Sequence, residues 1–136
     1  MRFVRRVRAL QDFLCTDDGV SLLTGYRRAA NIVAIEERKD GPHEGAIDRH
    51  RFVLSEETQL ERALRFGGQD AAKALASEKF EEAMAALATL RQPVDEFFDR
   101  VTVNVDDPKL RENRLRLLAR IRATMNQIAD FSQIEG

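Results

Sequence analysis

Apolar residues recur at steps of three and four along nearly every uninterrupted stretch of this chain, and that period commits it to helices. Phe3, Val7, Leu10 and Leu14 make a narrow apolar stripe, the pattern that one buried helix face requires. Gly19, Leu23, Tyr26, Ala30 and Val33 repeat it, with Leu22, Ala29 and Ile32 widening the face. Thr16, Asp17 and Asp18 offer N-caps for this second helix, which is expected to run to about Glu37. Ser55 followed by Glu56 and Glu57 reads as a cap with first-turn acids, opening a third helix through Leu60, Leu64, Gly67, Ala71 and Ala74. The Gly67–Gly68 pair weakens that helix by about 1 kcal/mol per glycine relative to alanine, so a kink or break is expected there. Because Gly67 lies on the apolar stripe, it also marks a close approach by a neighbouring helix.

Ser77 and Glu78 punctuate the chain before a fourth helix built on Phe80, Met84 and Leu87. Pro93 suits the first turn of a fifth, which carries Val94, Phe97, Phe98 and Val101. The sixth opens with Asp106, Asp107 and Pro108, an acidic cap followed by a proline fit for the first helical position. Its apolar face is Leu110, Leu117, Leu118, Ile121, Met125 and Ile128. Between them, Thr102 to Val105 is β-prone but too short to pair alone. Arg38 to Val53, holding Gly41, Pro42 and Gly45, shows no period and is the one long loop. With 43% hydrophobic residues in 136, the chain suffices for one core. The expectation is all-α: a single compact antiparallel helical bundle over residues 1–136. Helical pattern begins straight after Met1 with no N-cap, as expected of a piece of a longer chain.

Twenty-two basic and 23 acidic side chains nearly cancel, to a formal charge of −1, but their distribution is uneven. Lys109 to Arg122 holds six bases against the single acid Glu112, whereas Glu56 to Glu82 holds seven acids against four bases. Arg2, Arg5 and Arg6 share one side of the first helix, and Arg27 and Arg28 interrupt the second. If the first, second and last helices are neighbours, these arginines form one cationic face suited to phosphate. The alternative is that they solvate the bundle or pair with its acidic helices. Tyr26, Phe52 and Phe66 have the most polar surroundings among the aromatics; core or loop packing is the expectation for each, with exposed base-stacking the alternative.

Catalytic chemistry is poorly supplied. His43 and His50 both fall in the long loop, where they read as solvated, and Cys15 has no second cysteine or electropositive neighbourhood and reads as partly buried. The adjacent pairs Glu36–Glu37, Glu56–Glu57 and Glu81–Glu82 point in different directions on their helices and read as solvated faces. No phosphate-binding glycine motif occurs. No apolar run approaches the roughly 20 residues of a membrane span and no apolar block follows the N-terminal arginines, so the chain is expected to be neither membrane-spanning nor secreted, and a lone cysteine fits a reducing cytoplasm.

Several segments resemble a known family. They are Val7–Leu10, Asp18–Gly19, Leu22–Leu23 and Gly25–Ile32; Pro93–Asn104, with its FFD-x-V-x-V-N pattern; Leu110–Ile121, with R-x-N-R-L-x-L-L; and Ala129–Ser132. Together they resemble the C-terminal end of bacterial glycyl-tRNA synthetase β subunits, a helical anticodon-binding domain of the DALR type shared with arginyl-tRNA synthetases. The resemblance implies an enzyme that joins glycine to its tRNA with ATP and Mg, used at a separate α subunit. This stretch would then be non-catalytic and hold no cofactor. Its partners would be glycine tRNA, whose anticodon ends in two cytosines, the α subunit and the rest of the β chain, with no DNA and no membrane.

On that reading Arg5, Arg27, Arg28, Arg111 and Arg114 are the expected phosphate contacts, and Asn31, Asn113 and Tyr26 the expected base contacts. Helix-to-helix hydrogen bonding is an equal alternative for the two asparagines. Phe97, Phe98, Leu117 and Ile121 are assigned to the core. A helical module that docks on protein, or the equivalent domain of an arginyl-tRNA synthetase, are the competing functions.

Overall fold

The computed structural model describes residues 2–43 and 45–128, with side chains from Val7 onward. Among these residues there are six α-helices, α1 (Arg2–Leu14), α2 (Asp17–Asp40), α3 (Ser55–Ala76), α4 (Phe80–Ala88), α5 (Arg91–Arg100) and α6 (Pro108–Ile128), with one 3-10 turn at Arg49–Arg51. No strand occurs among them, and Thr102–Val105 is an irregular connection. No described helix is long and apolar enough to cross a membrane.

Local chemistry sets the helix ends. Thr16 caps α2: its Oγ1 accepts the Gly19 N–H at 3.0 Å and donates to the Phe13 carbonyl at 2.6 Å, so one hydroxyl ends α1 and begins α2. Gly41 ends α2 at φ +86°, a left-handed conformation that glycine adopts without strain, and returns its N–H to the Glu37 carbonyl. Asp107 Oδ1 accepts the N–H groups of Lys109 and Leu110 at 2.9 and 3.4 Å, the expected acidic cap before Pro108. At α3 the cap differs from the expectation. Leu54, not Ser55, is the N-cap residue, and Glu57 Oε1 reaches back to the Leu54 and Val53 N–H groups at 3.2 and 3.3 Å. A carboxylate on the first turn thus anchors the residues leading into the helix, while the Ser55 hydroxyl bonds Glu56.

Four helices enclose the main core. α2 runs antiparallel to α6, since Tyr26 meets Asn126 near one end and Glu36 meets Arg111 near the other. α3 runs parallel to α6, pairing Glu57 with Arg114 and Gly68 with Thr124. α5 lies along α2 in the same direction, with Asp18 against Arg91 and Gly25 against Val94. α1 packs on α2 and α4. Leu22, Ala29, Val33, Leu60, Leu87, Leu90, Val94, Phe97, Leu117, Leu118 and Ile121 are fully buried, as is Leu115, which the apolar period of α6 passed over.

α3 runs unbroken through Gly67 and Gly68. A Cβ on Gly67 would lie 2.8 Å from Leu90 Cδ2 and one on Gly68 2.9 Å from Thr124 Cγ2. Both glycines are points of close approach, and packing from two sides keeps the helix continuous where propensity alone predicted a kink.

Candidate nucleic-acid interface

Most of the basic charge on α6 is already taken. Arg111 Nη2 bonds Asp40 at 2.6 Å and Glu36 at 3.1 Å, and its Nε bonds Asn104. Arg114 donates from Nη2 to Glu57 at 3.0 Å and from Nη1 to the Thr102 carbonyl at 2.8 Å. Arg116 bonds the Ala46 carbonyl and pairs with Glu112, and Arg122 bonds Glu37 at 3.0 Å. Lys109 and Arg120 are left exposed. The cationic face expected from the first, second and last helices therefore does not include α6, because the acids of α2 and α3 lie against its arginines.

These pairings correct several expectations. Arg114 is buried and so cannot reach a phosphate, and Asn113 is buried with both ends of its amide spent on Asp48: Oδ1 accepts the N–H at 2.8 Å and Nδ2 donates to the carbonyl at 2.9 Å. Tyr26 is also buried, its hydroxyl donating to Asn126 Oδ1 at 2.8 Å, so it offers no platform to a base. Glu36 and Glu57 are buried ion-pair partners rather than solvated faces, and Glu61 is buried likewise between Arg49 and Arg65. Phe66, expected to pack, is exposed. His43, expected in solvent, is buried between Glu112 Oε2, 2.7 Å from Nδ1, and Asp40 Oδ2, 3.3 Å from Nε2. Cys15, expected to be partly buried, is exposed.

Electrostatics fix this corner of the molecule. The hydrogen bond from Arg111 holds the Glu36 carboxyl below its ordinary range, with Lys39 adding to the effect against the opposing cost of burial. The same arginine, chiefly through its hydrogen bond, lowers Asp40, and the two carboxylates in return raise Arg111. Arg111, Asn113 and Arg114 thus join α6 to the end of α2, the long loop and the start of α3. The R-x-N-R part of the recognisable segment is a set of staples.

What remains exposed is a stripe on α2. Val20, Thr24, Arg28, Asn31, Ile35 and Arg38 all face solvent, and at 100° per residue they fall on one side of the helix. Arg27 is half-buried next to them. Neither Arg28 nor Arg38 has a carboxylate partner among the described residues. The Arg28 guanidinium lies 4.5 Å from the centre of the Phe98 ring, and that ring packs edge-on against buried Phe97 at 6.0 Å. An arginine laid on an aromatic face is held in place while its N–H edge stays available to a phosphate. Of the residues expected to meet RNA, the structure brings Arg27, Arg28 and Asn31 together here. Arg5 lies outside the residues whose side chains are described, as does the whole Ala129–Ser132 segment.

Sequence reasoning missed Arg38 and the Arg28–Phe98 stack. The first was findable, because Arg38 continues the Asn31 register by seven residues. The second needed α5 placed beside α2. Among the described residues no group of three or more His, Cys, Asp or Glu side chains is arranged to hold a metal ion.

Helix α2 thus presents a face with two unpaired arginines and an amide, a charge pattern suited to phosphate. Residues 22–135 match the family described as the DALR anticodon binding domain, and the chain belongs to it. It is similar to glycine–tRNA ligase beta subunits from three bacteria. Identity is 55% to that of Rhodospirillum centenum over 98% of this chain and 19% of the relative. It is 48% to that of Phenylobacterium zucineum over 100% and 20%, and 44% to that of a Ruegeria species over 98% and 20%. The chain therefore spans about a fifth of the length of the curated relatives it matches.

Proposed function

We propose that this chain is the anticodon-binding part of a glycine–tRNA ligase β subunit and that the outward face of α2 grips the anticodon stem and loop. The observation that carries the reading is the exposed Arg28–Asn31–Arg38 register, with Arg28 set on Phe98, in a chain of this family. Arg28 and Arg38, with Arg27 beside them, contact backbone phosphates. Asn31 projects between them and reads the pairing edge of an unstacked base, since an amide offers one donor and one acceptor. Phosphate contacts supply most of the affinity and make it salt-dependent.

The glycyl system is preferred to the arginyl one because the three relatives carry the glycine–tRNA ligase name over 98–100% of this chain. In the complete enzyme, ligation of glycine with ATP and Mg takes place at a separate α subunit in the cytoplasm, and this domain delivers the tRNA without touching the reacting atoms. The test is a titration with glycine tRNA, an anticodon-substituted version and an unrelated tRNA, at low and at physiological salt. Salt-sensitive binding that weakens on anticodon substitution supports the reading. Equal binding to all three reduces it to a basic RNA surface. No binding at low salt overturns it in favour of a protein-docking module, for which the exposed Val20 and Ile35 on the same stripe would be the contact.

A further inference from the structure

Asn104 ends the V-x-V-N part of the recognisable segment, yet it is exposed and contributes nothing to the core. It stands at the tip of a three-residue turn, in which the Val105 N–H donates to the Val103 carbonyl at 2.9 Å. The turn is held from both directions, because Arg114 bonds the Thr102 carbonyl at 2.8 Å and Val103 packs against the core. The side chain is held as well. Asn104 Oδ1 accepts from Arg111 Nε at 3.2 Å, while Nη2 of the same guanidinium bonds Asp40 at 2.6 Å and Glu36 at 3.1 Å. An arginine only donates, so the amide must turn its oxygen towards Arg111. Its NH2 group, which has no partner among the described residues, is the end left over.

This turn adjoins the α2 face. One guanidinium separates Asn104 from the last turn of α2, and the Asp40 carboxylate beside it is already taken by Arg111 and His43. α5 runs along α2 with Phe98 against Arg28, and the chain then continues in the same direction to Asn104. At 100° per residue, Arg28, Ile35 and Lys39 fall within about 40° of one another, a single row on the side of α2 that faces α5. Lys39 closes the row with its side chain 66% exposed, roughly 16 Å along the helix from Arg28 at 1.5 Å per residue.

We propose that Asn104 is a second base-reading residue of the RNA site, donating from its fixed amide NH2 to a carbonyl or ring nitrogen on the pairing edge of an unpaired base. Asn31, with neither end of its amide engaged among the described residues, can turn to suit a donor or an acceptor. Asn104 offers donors alone, so it accepts only a base that presents an acceptor there. Because turn and side chain are already ordered, little freedom is lost on binding. The inference rests on the reading that RNA lies along α2, and it adds selectivity between bases to that grip.

The experiment measures binding of the chain and of Asn104→Ala, Asn104→Asp and Arg38→Ala to the anticodon stem-loop of a glycine tRNA across a range of salt. The same RNA is also used with one loop nucleotide at a time made abasic. Asn104→Ala is expected to weaken binding about 3- to 10-fold, the worth of one hydrogen bond. Its salt dependence should match the parent's, whereas Arg38→Ala should lower the slope of log affinity against log salt by about one. Asn104→Asp keeps the acceptor for Arg111 and removes the donors, so it should lose at least as much as Asn104→Ala. One abasic position should reproduce the loss and be insensitive to Asn104→Ala. If Asn104→Asp binds as the parent does while Asn104→Ala does not, the amide serves only to hold Arg111 and the proposal falls. It falls too if Asn104→Ala weakens every abasic RNA equally, or if both variants bind as the parent does while Arg38→Ala is impaired; the α2 grip then stands alone. Absence of RNA binding by the parent chain removes both readings.

Discussion

Arg114 Nη2 donates to Glu57 Oε1 at 3.0 Å, and the same oxygen accepts the N–H groups that open α3. A pair 57 residues apart in sequence thus ties the start of one helix to the middle of another. Glu57 is fully buried and Arg114 nearly so. Removing one partner leaves a buried charge uncompensated. Arg114→Ala should lower unfolding free energy by about 3 to 5 kcal/mol, measured by urea denaturation. Replacing both residues by leucine should cost less than the single change. An unchanged denaturation midpoint for Arg114→Ala would mean the pair does not form.

Asn113 should behave as a loop staple. Its amide closes both backbone groups of Asp48, so Asn113→Ala should destabilise by about 1 to 3 kcal/mol. The Asp48 amide should then exchange its hydrogen faster, while α2 residues keep their protection. Loss of RNA affinity without faster exchange at Asp48 would return Asn113 to the binding surface.

The shape of the helices was legible in the sequence and the use of their charges was not. Thr16, Gly41 and Asp107–Pro108 act on their own neighbourhoods, so local chemistry announces them. Gly67 announced a close contact because it sits on an apolar stripe. The fate of Arg111, Arg114 and Arg116 depends on which helix lies opposite, and a basic stretch pairing with distant acids reads the same as one left free for phosphate. Tyr26 and His43 were hidden for the same reason: their partners, Asn126, Glu112 and Asp40, come from elements that only folding brings near. The α2 stripe was half-legible, through Arg27, Arg28 and Asn31, because solvent exposure leaves no periodic mark beyond polarity.

Acid should loosen the corner held by Arg111. Glu36 and Asp40 are lowered in the folded state, so their contribution is present above the ordinary carboxylate range and is lost as the pH falls through and below about 4. Arg111→Gln removes the cause. The stability gap between the parent chain and Arg111→Gln, followed by urea midpoints, should narrow between neutral pH and pH 3. A gap that stays constant would show that the carboxylates do not feel the arginine.

Gly25 faces α5 so closely that a Cβ there would stand 2.6 Å from Val94 Cγ1. Gly25→Ala should therefore cost about 1 to 3 kcal/mol by overpacking, despite alanine's better helix propensity. Val94→Ala on the Gly25→Ala background should recover part of that loss in thermal melting. A stabilised Gly25→Ala would mean that α2 and α5 stand further apart than described.

On the proposed reading RNA meets the outward face of α2 and not the basic run of α6. Two-dimensional amide NMR of the chain, titrated with the anticodon stem-loop of a glycine tRNA at low salt, tests it most directly. The largest shifts are expected at Thr24, Arg28, Asn31, Ile35 and Arg38. Perturbations concentrated between Lys109 and Arg122, with α2 unmoved, would contradict it.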